Sequence, residues 1–153
     1  MVDLHWYWRV FARLGLAEAA FAAGDLARAR EEKQLIVDAV FQFDESMIQS
    51  LVWEFAARLS LAEGAREDAE AAIDLALHGL ARFEVPHAAW RVCATAAAVH
   101  RIKRPARAER HVDQARAALT TLVWSLERCQ PLRRSLVGAP AVNTILSGDL
   151  LDK

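Results

Sequence analysis

Apolar and charged residues recur along this chain with the period of a helix. Ala108, Val112, Ala115, Leu119, Leu122 and Leu126 are spaced by three or four and form one apolar stripe, while Arg107, Arg110, Asp113 and Arg116 take the opposite face. Turn-forming and capping residues divide the rest of the chain, predicting helices at about 4–22, 26–42, 46–62, 66–82, 87–101 and 106–128. Asp25, and either Asp44 or Ser46, are the expected caps, and Pro86 and Pro105 stand in first-turn positions where a missing N–H costs nothing. After Pro131 the pattern shortens to Leu132–Val137 and a last turn or helix from about Pro140 to Leu146. That tail, 131–147, is expected to cap the end of the last helix pair, which would otherwise expose apolar surface.

Superposed on this period is a longer one. Ala17 and Ala29, Ala57 and Ala69, and Ala96 and Ala108 form pairs twelve residues apart that recur at offsets of 40 and 39. Gly24-Asp25, Glu63-Gly64 and Lys103-Arg104-Pro105 stand between the members of each pair. Such a ladder is expected where two helices cross and where the return helix starts, sites with room for nothing beyond a methyl group. It divides the chain into three helical hairpins at about 4–42, 46–82 and 87–128, in a single domain spanning 1–153. Composition agrees: 54% of the 153 residues are hydrophobic and 31 are alanine, against six glycines and four prolines, which favours helix almost throughout.

The ladder resembles the tetratricopeptide repeat, with small residues at its eighth and twentieth positions, Gly24 and Gly64 in its turns, Ala76 and Ala115 at its twenty-seventh position and Trp53 at its tryptophan position. The period of 39–40 exceeds the repeat's usual 34, Arg13 and Val92 replace the tryptophan in the outer units, and Lys33 replaces a large apolar residue. Longer segments are similar to the C-terminal helical-repeat region of large bacterial signalling proteins that join an AAA-type ATPase to a cyclase, kinase or DNA-binding domain. They are His5-Trp6-Tyr7-Trp8, Gly24 to Arg30, Trp53-Glu54, Phe83 to Pro86, Ala89 to Val92, and Leu132-Arg133 through Ala139-Pro140. The resemblance implies an all-α, right-handed superhelix of three antiparallel hairpins with a C-terminal capping helix. It further implies a scaffolding or regulatory module that binds a peptide, a helix or a neighbouring domain on its concave face. No Gly-Lys-Ser/Thr phosphate loop occurs, so the ATPase of such an architecture is not in this sequence.

In that superhelix the first helix of each hairpin lines the concave face, which makes Trp53, Trp90 and Arg91 the candidate binding residues. Trp53 and Trp124 also read as packing residues, and Trp90 reads either way. Trp6, Tyr7 and Trp8 cannot all face inward on one helix, so at least one of them is expected at an exposed edge where a partner docks.

Charge divides the chain. Residues 1–89 carry 8 basic and 15 acidic side chains, a balance of −7, and residues 101–134 carry 9 and 3, a balance of +6. The basic end, including Arg101, Lys103, Arg104, Arg107 and Arg110, would suit an acidic partner, or the acidic start of a second copy in head-to-tail contact. Nucleic acid is disfavoured, because no aromatic residues interleave the cluster and Arg outnumbers Lys 16 to 3 across the whole chain.

Catalytic chemistry finds no foothold in the pattern. No HExxH or CxxC motif is present, neither cysteine has a histidine at helical spacing, His100 and His111 fall on opposite sides of a turn, and Glu18, Glu54 and Glu84 are isolated carboxylates that usually face solvent or pair with arginine. The expectation is a module without catalytic residues, metal or cofactor. A small-molecule sensor controlling an attached ATPase and a self-assembling repeat are the alternatives. Met1 to His5 lacks the basic start and apolar run of a secretory signal, no stretch of about 18 residues is free of charge, and the two cysteines read as reduced packing thiols. Cytoplasm is the expected compartment.

Overall fold

The computed structural model describes residues 4–40, 45–81 and 85–148, and every regular element among them is an α-helix. The helices are α1 (Leu4–Ala22), α2 (Leu26–Val40), α3 (Ser46–Ala62), α4 (Arg66–Leu80), α5 (Pro86–His100), α6 (Pro105–Ser125), α7 (Gln130–Gly138) and α8 (Pro140–Ser147). Two turns share one design. Gly24 and Gly64 take left-handed backbone angles, φ 78° and 79°, and the following N–H groups of Asp25 and Ala65 reach back to the carbonyls of Ala20 and Ser60 at 2.9 and 2.8 Å. This closes α1 and α3 with the bonding of a Schellman motif, which a residue bearing a Cβ would strain. Asp25 then caps α2, its Oδ1 accepting the N–H of Arg28 at 3.0 Å. The third turn has no glycine; Arg104 N–H bonds the carbonyl of His100, and Pro105 opens α6.

Some expected boundaries move. Ser46 is the first residue of α3 and not its cap, since Glu45 precedes the helix without a side-chain cap bond, while Asp44 lies outside the described residues. Helix α6 ends at Ser125, three residues short of expectation, as Leu126 leaves the helical region. The expected ends of α2 at 42 and α4 at 82 also lie outside the described residues.

Consecutive helices pack in pairs, α1 with α2, α3 with α4 and α5 with α6, and each pair packs on the next through α2 with α3, α3 with α5 and α4 with α5. All six ladder alanines are buried, Ala17 with Ala29 in one core cluster and Ala57 with Ala69 in another, but Ala96 joins that second cluster and it is Ala97 that packs with Ala108. Around them Val10, Leu14, Ile36, Ile48 and Phe55 form a first core cluster, Ile73, Val92 and Val99 a second, and Cys93, Leu119, Val142 and Ile145 a third that draws α8 onto α5 and α6. Trp53 is half-buried against the second cluster. Trp124 does not pack as expected: it is 64% exposed, because it falls off the stripe that carries Leu119 and Leu122.

Gly79 of α4 lies tight against α3. A Cβ there would meet Ser50 Oγ at 2.4 Å and the Ser46 carbonyl oxygen at 3.2 Å, and Ser50 Oγ itself donates to that carbonyl at 2.7 Å. Gly79→Ala is therefore expected to destabilise by about 1–3 kcal/mol despite alanine's better helix propensity. Adding Ser50→Ala should recover most of the loss in a denaturant melt; a Gly79→Ala variant as stable as the parent would contradict the close approach.

Charged pairs tie successive helix pairs together with alternating sign. Arg30 of α2 bonds Glu63, and forty residues on, Glu70 of α4 meets Lys103 at 2.8 Å. The same two repeat positions thus carry plus on minus and then minus on plus, which penalises stacking the pairs in a wrong order.

Candidate functional site

The odd-numbered helices share a face on which four charged side chains alternate in sign. Glu54 and Arg58 sit one turn apart on α3, as do Arg91 and Thr95 on α5, so each pair points the same way. Arg58 Nε donates to Glu54 Oε1 at 2.7 Å, Thr95 Oγ1 donates to the same oxygen at 2.7 Å, and Arg91 Nη2 donates to Glu54 Oε2 at 3.2 Å. Glu18 of α1 accepts from both guanidiniums. Two carboxylates and two guanidiniums therefore form a charge-balanced ring that joins three helices. The Arg58 guanidinium also lies over the rings of Phe21 and Phe55, 5.5 and 5.4 Å from their centroids.

Burial alone would push the Glu18 carboxyl up, but the hydrogen bond and charge of Arg58, with Arg91 behind them, hold it below the usual carboxylate range. Burial likewise works against the Arg58 cation, and Glu54 and Glu18 outweigh it, so its pKa is raised.

Beside the ring opens a cavity of about 490 Å³. Glu54, Arg58 and Arg91 form its polar floor, Leu61, Trp90, Ala94 and Ala98 its apolar wall, and Ala141, Thr144 and Ile145 of α8 its far side. Trp90 and Arg91 both line this cavity. Trp53 is not part of it. Sequence reasoning missed Arg58, Thr95 and the α8 residues. The i, i+4 spacing of Glu54 with Arg58 was a visible signal, whereas the return of α8 to this face had none.

The remaining candidates scatter. Trp8 is 66% exposed, while Trp6 and Tyr7 are half-buried against the first core cluster, with the Tyr7 ring edge-on to both tryptophans at 5.9 and 5.8 Å. Of the basic residues at the third pair, Lys103 and Arg104 meet Glu70, and Arg107 meets Asp74 at 2.9 Å, so much of that charge is answered within the chain. Glu84 lies outside the described residues. Arg13, at the position where the repeat has tryptophan, bonds the buried carboxylate of Glu32 at 2.9 Å.

His100 and His111, parted by a turn in sequence, stack with ring centroids 5.6 Å apart and planes 28° from parallel. Both are buried; His111 Nδ1 lies 2.9 Å from Gln114 Oε1, and the other three ring nitrogens have no hydrogen-bond partner. Burial first, then the Arg107 cation, lowers the His100 pKa; for His111 burial leads, opposed by the Gln114 bond and helped by Arg107 and Arg110. Burial pushes the Cys93 thiol up to about 11, which makes it a poor nucleophile at neutral pH. Among the described residues no three His, Cys, Asp or Glu side chains converge as a metal site, and no helix is long and apolar enough to cross a membrane.

Comparison with protein-family models, with curated proteins and with solved structures finds no match to this chain.

Proposed function

We propose that the chain is a binding module without chemistry of its own, built as a right-handed superhelix of three tetratricopeptide-like hairpins. Its concave face, floored by the Glu18–Arg58–Glu54–Arg91 ring, takes an extended peptide or the edge of a partner helix. The observation that carries this reading is the cavity beside the ring. Its wall is apolar and aromatic and its floor is already charge-balanced, so an apolar side chain enters Trp90's pocket without having to neutralise an ion. In a cytoplasmic bacterial signalling protein, such a module would recruit a partner or hold a neighbouring domain.

A peptide library displayed on phage and panned against the full chain tests this. Enriched peptides should share an aromatic or large aliphatic anchor. Ala98→Trp, which fills the cavity from an exposed position, should weaken them by at least about tenfold, the equivalent of one well-packed anchor. Trp90→Ala with Arg91→Ala should do the same. Peptides that bind these variants as tightly as the parent would remove the site assignment.

A second reading also rests on the cavity, since about 490 Å³ suits a small molecule as well as a side chain. A sensor of that kind predicts that one compound of a metabolite library raises the melting temperature of the parent but not of Ala98→Trp.

A further inference from the structure

One helix face has lost the cover that its counterparts have. On α1, Trp8, Ala12, Gly15, Leu16 and Ala19 lie along one side, all exposed, with Trp8 66% and Leu16 55% accessible and open space where a Gly15 side chain would be. Forty residues on, Ile48, Val52, Phe55, Ala56 and Leu59 stand at the same positions of α3; all five are buried, and all but Ala56 share the core cluster of the first helix pair. The α1 stripe is thus the surface by which one helix pair seats on the preceding one. It carries no charge and is continuous with the packing that builds the rest of the molecule.

A second copy of the chain offers two ends. The far end is closed, because Val142 and Ile145 of α8 already occupy the apolar surface of α5 and α6 around Cys93, Ala115 and Leu119. Adding copies head to tail would require displacing α8, which leaves stripe against stripe as the contact that costs no existing packing. Such a contact is isologous and closes at two copies.

The stripe also complements itself. Two α1 helices crossing antiparallel about the middle of the stripe set Leu16 against Ala12 of the partner subunit and Trp8 against the partner's Ala19. Each large residue then faces a methyl group, and Gly15 near the centre lets the backbones approach.

We infer that this chain forms a two-fold dimer through the exposed face of α1, around Trp8, Ala12, Leu16 and Ala19. Sedimentation velocity of the full chain tests it. Dimers are expected at high micromolar concentration, and Ala12→Arg or Leu16→Glu alone should weaken them by at least about tenfold while circular dichroism stays unchanged, since both sites are exposed. Mixing the two variants should restore pairing, because the introduced charges then face each other across the helix crossing. Trp124→Ala, which removes an equally exposed tryptophan elsewhere, should leave the mass alone. A monomer at every concentration would overturn the inference and point to some other helix pair as the natural cover of α1. A dimer that survives both substitutions would overturn it as well.

Discussion

Glu54→Ala is expected to lower the unfolding free energy by about 3–5 kcal/mol, the cost of breaking a buried ion pair from one side. Glu54 is 2% exposed and accepts from three side chains on two helices, Arg58, Arg91 and Thr95. Without it two guanidiniums converge on Glu18 alone, and Thr95 Oγ1 loses its acceptor inside the protein. For a chain of 153 residues, a loss of that size corresponds to a melting temperature lower by about 10 °C. Glu54→Gln, which keeps the shape but not the charge, should fall in between. Arg30→Ala provides the contrast, because the Arg30–Glu63 pair is largely exposed and worth less than about 1 kcal/mol. If the two alanine variants melt together, the ring is decoration and not structure.

The ring also shows why the site was harder to foresee than the fold. Helix positions follow from local rules, namely glycines that end α1 and α3, prolines that start α5 and α6, and a stripe of period three to four. Six predicted helices match six observed ones because each of those signals acts within one or two turns of the chain. The ladder alanines carried non-local information as well, since a methyl-sized residue repeated at 40 and 39 implies a repeated close approach; all six are buried, although Ala97 and not Ala96 packs with Ala108. What joins Glu18 to Arg58 and Arg91 spans 40 and 73 residues, and no local pattern records it.

Trp124 was expected to pack, but periodicity of the α6 stripe already excluded it, and residue size prevailed over position in the expectation. The charge sum of the basic third pair suits an acidic partner as one of several readings, and Glu70 and Asp74 on α4 take up Lys103, Arg104 and Arg107. A sum of charge over a segment does not distinguish a patch that waits for a partner from one that already faces its counterpart across a helix pair. The alternation of Arg30–Glu63 with Glu70–Lys103 is the sign that it does the second.

Acid should destabilise this protein well before its carboxylates titrate, and the stacked imidazoles of His100 and His111 are the reason. Both have folded pKa values held below the ordinary 6.5, so the unfolded chain takes up protons there before the folded chain does. Above that pH both rings are neutral in either state and contribute no pH dependence. As the pH falls below about 6.5, unfolding binds protons and stability declines, by at most about 1.4 kcal/mol per pH unit for each ring. The decline ends only when the folded rings themselves protonate.

The surroundings deepen the effect. Arg107 and Arg104 face His100, Arg107 and Arg110 face His111, and against them stand the carboxylates of Asp74, bonded to Arg107, and of Glu70, bonded to Lys103 and near His100. Two adjacent imidazolium ions under three guanidiniums would force α5 and α6 apart at the turn they share. Glu18 acts in a lower window: the stability it contributes is complete above about 4.5 and is lost as the pH falls through its depressed folded value. Chemical denaturation at about pH 7.5, 6.5, 5.5, 4.5 and 3.5 (set to bracket the ordinary values of ~6.5 for imidazole and ~4.3 for a carboxyl) separates the two. The parent should lose stability progressively below about 6.5, and His100→Phe with His111→Leu should flatten that slope while leaving the steeper loss near the carboxylate range. An unchanged slope in the double variant would show that the stacked pair is not the source of the acid sensitivity.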